Sequence, residues 1–177
     1  MKPLLSVLAA AFMASPVHGD VEDIIKRVEV GAPVAEVFSA FASNEGVQSF
    51  FSRGSNVDFQ PDGDYEILFF PDKPAGQRGA EGMKVLAIEP NRRLAITWNA
   101  PPAWPEIRKQ RTVVTINFAP IDEHRTEVIL HHGLWGQSEA WQQVNDYFQG
   151  GWDVILHRLQ HRFDKGPIDW SNPPRPS

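Results

Sequence analysis

The sequence contains no cysteine in its 177 residues, which excludes a disulfide scaffold, a thiolate metal site and a cysteine nucleophile or redox centre. It also lacks an excess of positive charge. Because 17 basic residues face 22 acidic ones and the net charge is −5, a nucleic-acid partner is not indicated. The sequence motifs of serine hydrolases, zinc proteases and phosphate-binding loops are missing as well. We therefore expect no catalytic set, no metal site and no cofactor.

Long apolar runs are scarce too. The run from Pro3 to Ala14 is about a dozen residues long, whereas a helix that spans a bilayer needs roughly 20. It follows Met1-Lys2 and precedes small residues that end at Gly19, a pattern typical of a secretory signal peptide. We expect cleavage after Gly19, with cleavage after Ala14 as the alternative, export to a bacterial periplasm, and no membrane span in the mature chain. The alternative is that this run forms a buried first helix.

Bulky aromatic rings are abundant. Six Trp and 11 Phe accompany only two Tyr, and so many apolar rings must either fill a core or line a binding surface. The hydrophobic content of 42% and the charged content of 22% are those of a globular protein. The sequence predicts one domain over residues 20–165 and a Pro-rich C-terminal tail over residues 166–177.

Hydrophobic periodicity predicts six strands and three helices. Strands are expected at residues 24–31, 64–70, 82–89, 93–99, 111–119 and 126–132. Helices are expected at residues 33–42, 43–51 and 137–165, the last with a continuous apolar stripe. Short turns between successive strands predict an antiparallel meander, and one helix stripe on one sheet face predicts a two-layer α+β domain. Gly150-Gly151 predicts either a bend in the long helix or a close approach of its backbone to the sheet.

Four local motifs occur in the order that one known superfamily shows. They are Ala32-Pro33 with Val37-Phe38, Gly82–Val85 with Glu89-Pro90 and Leu94–Trp98, Thr126–Gly133, and Gly151-Trp152 with Leu156 and Leu159. Together they resemble the START-like (SRPBCC) superfamily, and within it the branch named after homologues of the ATPase activator of a heat-shock chaperone. The resemblance covers residues 24–165. The sequence departs from the pattern at Phe50-Phe51, where a Trp is usual, and in its apolar N-terminus and Pro-rich tail.

The resemblance implies a helix-grip fold. In this fold an antiparallel six- to seven-stranded sheet wraps around a long C-terminal helix, and two short helices follow the first strand. It also implies a cavity between sheet and helix. The strand and helix phases turn four rings toward this space, and two further Trp in loops are candidates for its rim. The predicted wall residues are Phe69, Trp98, Phe148 and Trp152, and the predicted rim residues are Trp104 and Trp135. The alternative is that these rings only fill the core or pack on neighbouring prolines.

Three other groups are candidates for polar chemistry. His132 shares the inward phase of Val128 and Leu130, so its imidazole could bind a ligand carbonyl or carry a proton, or it could be a core histidine bonded to the backbone. Arg78 lies near the expected mouth, with Arg53 and Glu81, and could bind a ligand carboxylate or enolate if it is not simply surface charge.

His157 and His161 have a metal-ligand spacing. They lie off the apolar stripe of the last helix, and no third ligand is evident. We therefore interpret them as part of an exposed helix face.

Three functions are compatible with these features. The first is an exported protein that binds a small, largely apolar molecule in the cavity. The second is a polyketide-cyclase-like enzyme that uses His132. The third is an interaction or co-chaperone-like module for another exported protein, whose identity the sequence does not indicate.

Overall fold

The computed structural model of the protein describes residues 20–176, so the expected signal peptide lies outside the described residues. Eight strands and four helices follow in chain order. They are β1 (Ile24–Val30), α1 (Val34–Ser39), α2 (Asn44–Gln48), β2 (Gly54–Val57), β3 (Tyr65–Leu68), β4 (Gly79–Ala80), β5 (Val85–Glu89), β6 (Arg93–Trp98), α3 (Pro105–Arg108), β7 (Thr112–Asp122), β8 (Arg125–Gly133) and α4 (Glu139–Lys165). None of the helices in the described part of the chain combines the length and apolarity of a membrane crossing.

The strands form an antiparallel five-stranded sheet in the order β1-β8-β7-β6-β5 and a three-stranded sheet in the order β2-β3-β4. The two sheets meet where Tyr65 N donates to the Met83 carbonyl (2.8 Å) and Val85 N donates to the Gly63 carbonyl (2.9 Å). The structure thus confirms the α+β helix-grip class, but it divides the strands between two sheets. The expected strand 82–89 begins only at Val85, since Gly82 adopts a φ of 72° and turns the chain.

The long helix α4 covers one face of the five-stranded sheet. Its first turn is capped by Ser138, whose hydroxyl accepts from Trp141 N at 3.3 Å. In the sheet, Ile116 of β7 lies between Leu94 of β6 and Leu130 of β8, and all three are buried. The predicted helix stripe is confirmed, because every apolar position in it up to Leu159 is buried.

Gly150 and Gly151 lie within α4, which continues through them without interruption. A Cβ added at either glycine would meet no atom within 4 Å. The expected close approach of the helix backbone to the sheet is therefore wrong. The two glycines instead leave space beside the helix, and Gly151 borders the cleft described below.

The C-terminal residues pack against the domain instead of extending away from it. Gly166, with a φ of 106°, ends α4 and turns the chain. Ile168 N then donates to the Ser49 carbonyl at 2.9 Å, and the Trp170 indole donates to the Gln48 carbonyl at 2.8 Å. The tail is thereby tied to α2 and to the second half of α4.

Candidate functional site

An open cleft with aromatic walls lies between the middle of α4 and the segment after β3. Its inner recess has a volume of about 260 Å³, and an adjoining outer recess has a volume of about 430 Å³. We call the two together the aromatic cleft. Four rings border both recesses: Phe69, Phe70, Trp98 and Tyr147. Phe148 and Trp152 of α4 complete the inner wall. Four of the predicted wall residues therefore meet at one site, as the strand and helix phases indicate.

The expected cavity does not extend far between sheet and helix, because the rings themselves occupy that space. Trp98 and Trp152 are each only 2% exposed, and their ring centroids are 5.2 Å apart. Phe51 packs against both, at 6.0 Å and 6.1 Å. Sequence reasoning did not assign Phe51 to the site, although it noted Phe50-Phe51 as a departure from the superfamily pattern. What remains for a ligand is the cleft at the edge of this cluster.

His132 is fully buried beside the ring cluster, and both of its ring nitrogens are engaged. Its Nδ1 accepts the indole N–H of Trp152 at 3.0 Å, and its Nε2 lies 2.7 Å from Thr112 Oγ1. An indole nitrogen can only donate, so Nδ1 carries no proton and the neutral ring has its proton on Nε2. That proton points to Thr112 Oγ1, whose own hydroxyl is 3.4 Å from the Trp98 carbonyl.

The protonation state of His132 agrees with this geometry. Burial, together with a smaller contribution from the nearby His131, lowers the pKa of His132 to about 3. The imidazole therefore stays neutral at physiological pH, with no lone pair or proton free for a substrate. This arrangement disfavours the proton-carrying role that a cyclase-like enzyme would need.

The two loop tryptophans expected at the rim occupy different places. Trp135 packs on the His132 ring at a centroid distance of 4.1 Å and donates to the His132 carbonyl at 3.0 Å. It supports the buried network and does not border the cleft. Trp104 lies 5.8 Å from Tyr147 and so backs one of the rings that line the cleft.

Arg78 is engaged within the protein. Its Nε donates to Glu81 at 2.8 Å, and the same carboxylate accepts the backbone N–H groups of Gly76 and Arg78 at 2.9 Å each. Burial by itself raises the pKa of Glu81, but these hydrogen bonds and the Arg78 charge outweigh it and hold that pKa below its usual value. Arg108 lies 3.5 Å from Glu81 and donates at 2.6 Å to each of two backbone carbonyls, those of Gly79 at the start of β4 and of Ala100 in the loop after β6. The cluster therefore fixes the two loops that form the outer recess.

The other polar candidates lie away from the cleft. Arg53 is half-exposed and pairs with Asp72 at 3.3 Å. His157 and His161 are partly exposed on α4, and within residues 20–176 no group of three or more His, Asp or Glu side chains could hold a metal ion.

Among the cleft residues that sequence reasoning missed, three matter most for binding. Phe70 and Tyr147 are exposed aromatic residues, and Arg158 of α4 borders the inner recess. Phe70 is the last residue of an apolar run, which gives no sign that it turns outward. Arg158 and Tyr147 both lie just beside the apolar stripe, where the sequence pattern does not distinguish the rim of a cleft from ordinary helix surface.

A larger depression of about 840 Å³ lies between α1, α2 and the end of α4. Polar side chains such as Glu36, Asn44 and Arg162 form much of its lining. Small-molecule sites are mostly apolar with a few polar groups, so the aromatic cleft is the better candidate.

The long helix on an antiparallel sheet and the cleft beside it define the chain as a START-like helix-grip protein. The sequence specifies the family within that class. The chain belongs to the family of Activator of Hsp90 ATPase homolog 1-like proteins, whose family model matches residues 31–164.

Solved structures show the same fold at low sequence identity. Protein MLL2253 from Mesorhizobium loti is 18% identical, with a TM-score of 0.66, and the match covers 83% of this chain and 100% of that one. The Aha1 dimer from Colwellia psychrerythraea is 16% identical, with a TM-score of 0.62 and coverage of 82% and 98%. CalU16 from Micromonospora echinospora is 24% identical, with a TM-score of 0.59 and coverage of 84% and 78%. No curated protein matches the sequence.

Proposed function

We propose that this protein binds a small, largely apolar molecule in the aromatic cleft. One observation carries the proposal: Phe70 and Tyr147 are 59% and 54% exposed although they border both recesses of an apolar cleft. Apolar rings left in water beside a concave apolar surface are typical of a binding site. A ligand in the cleft would cover both rings and lie against the edge of the Trp98–Trp152 pair.

The neutral His132 network supports binding without chemistry at that residue. Its ring nitrogens are held by Trp152 and Thr112, so the network fixes the orientation of a wall residue. In this proposal His132 positions Trp152, and the ligand contacts the rings.

The two helix glycines provide a matched test of the proposal. Leu at position 151 would project into the inner recess, whereas Leu at the exposed position 150 would point to solvent, and both changes raise helix propensity in the same way. We expect the uncharged fluorescent probe N-phenyl-1-naphthylamine to bind the unmodified protein with increased emission. G151L should weaken this binding at least about tenfold, while G150L should leave it unchanged.

A fluorescence titration of the unmodified protein, G151L and G150L measures the affinity for the probe, and thermal unfolding checks that each variant is folded. Equal loss of binding in both variants, or no binding to the unmodified protein, would contradict the proposed site.

We also propose that the protein is exported, on the basis of the apolar segment from Pro3 to Ala14 and the small residues up to Gly19. Expression of the full sequence in a Gram-negative host should give a periplasmic protein whose intact mass corresponds to a chain that begins at Asp20. A cytosolic product that retains residues 1–19 would overturn this proposal.

A further inference from the structure

Arg158 stands at the inner end of the aromatic cleft. Gly151, Ile155 and Arg158 are spaced by four and three residues on α4, so they share one face of the helix, and all three border the inner recess. A ligand lying along this face would have its apolar part against the rings and one end at the guanidinium.

The guanidinium of Arg158 is partly buried and has no anionic partner among the described residues. Its Nε is buried and finds no hydrogen-bond acceptor in that part of the chain. Among residues 20–176, no carboxylate lies within 4.0 Å of it. The guanidinium makes a cation–π contact with the ring of Trp170, whose centroid is 5.2 Å from the guanidinium carbon. A buried donor without an acceptor is costly, and a ligand that supplied one would remove that cost.

The charges around the cleft all have the same sign. The charged residues that line it are Lys73, Arg108 and Arg158, and no Asp or Glu of the described chain lines either recess. This contrasts with the net charge of −5 for the whole protein. Arg108 is already engaged by Glu81 and two carbonyls, and Lys73 is exposed at the outer recess. Arg158 is therefore the cation best placed to meet an anionic group inside the cleft.

We infer that the ligand is an apolar carboxylate, with its ring or chain among the cleft aromatics and its carboxylate on the Arg158 guanidinium. A guanidinium presents parallel N–H donors that match a carboxylate. Arg158 is the only charged residue of the described chain that lines the inner recess, and a single guanidinium fits a singly charged group better than a phosphate. The inference rests on the proposed function and specifies the ligand class for the same cleft.

The test uses two probes of nearly equal shape, 1-naphthaleneacetate and the uncharged 1-naphthaleneacetamide, in calorimetric titrations of the unmodified protein. We expect the acid to bind about tenfold more tightly than the amide. R158M keeps the apolar stem and removes the charge, and it should lower the affinity for the acid to that of the amide without changing the latter. The affinity of R158K for the acid should lie between those of the unmodified protein and R158M, since lysine keeps the charge but lacks the planar guanidinium.

Arg162 provides the matched control. It lies one turn further along α4, donates to Ser49 Oγ at 3.0 Å and borders the other depression. R162M removes the same charge from the same helix and should leave the preference for the acid intact. Equal binding of acid and amide to the unmodified protein, or an unchanged preference in R158M, would overturn the carboxylate inference alone. Binding of neither probe would overturn the proposed function as well.

Discussion

Replacing Trp152 with alanine is expected to lower the free energy of unfolding by about 3–5 kcal/mol. The side chain is 2% exposed and packs between Trp98, at 5.2 Å, and Phe148, at 6.1 Å. Its removal would open a large void between sheet and helix. It would also leave Nδ1 of His132 without its donor, and a buried polar atom that loses its partner adds to the cost. Urea unfolding at neutral pH measures the effect.

The substitutions W152F and W98F separate the contribution of ring packing from that of the hydrogen bond to His132. Both variants replace a buried indole by a smaller ring in the same cluster, but only W152F removes the hydrogen bond to His132. We expect W152F to cost about 1 kcal/mol more than W98F. Equal losses in the two variants would show that this hydrogen bond contributes nothing to stability.

Much of the fold could be predicted from the sequence because long elements carry a strong periodic signal. β7 and β8 alternate between buried and partly buried positions, and α4 carries an apolar stripe over about six turns. Such patterns specify which face is buried, and the inward phase of Trp98, His132 and Trp152 followed directly from them. For the same reason the four predicted wall residues lie together at the inner recess, while their contact with a ligand stays a prediction.

Three short elements, β2, β4 and α3, could not be predicted, because tertiary contacts decide them. β4 has only two residues, Gly79 and Ala80, and exists because it pairs with β3. β2 is the polar segment GSNV, in which no alternation of apolar residues appears. The helix α3 lies in a Pro- and Trp-containing segment that reads as a loop, although Pro105 suits its first turn.

Whether the site is an open cavity or a filled core could not be predicted from the sequence. Periodicity shows that Trp98 and Trp152 point inward, but it does not show whether inward rings surround a cavity or touch each other. The structure brings them into contact and places the open space at the edge of the cluster. The same limit applies to Arg78, whose pairing with Glu81 depends on a turn of the loop after β3. It also applies to Arg158, whose contact with the Trp170 ring depends on the packing of the tail.

The pH dependence of stability is expected to follow His132. Burial lowers its pKa from 6.5 to about 3. Between these pH values the imidazole is protonated in the unfolded chain and neutral in the folded protein. The contribution of the neutral imidazole is therefore complete above pH 6.5 and is lost as the pH falls toward 3, about 5 kcal/mol in total. Between about pH 7 and 5 the loss should be about 2 kcal/mol. A proton on Nδ1 would also face the indole N–H of Trp152, which would place two donors against each other.

Between pH 7 and 5 the loss of stability due to His132 is separated from the loss due to the carboxylates. Glu81 and Asp64 also have lowered pKa values, through hydrogen bonds and charge pairing, but their contributions are lost only as the pH falls below their unfolded values of 4.5 and 3.8. Urea unfolding measured from pH 7 to 5 should therefore show the slope in the unmodified protein and a flatter line in H132Q, which starts from lower stability. H124Q, in the exposed turn between β7 and β8, serves as the control and should keep the slope. A slope that persists in H132Q would mean that the buried imidazole is not the titrating group, and that the Trp152–His132–Thr112 network does not hold it neutral.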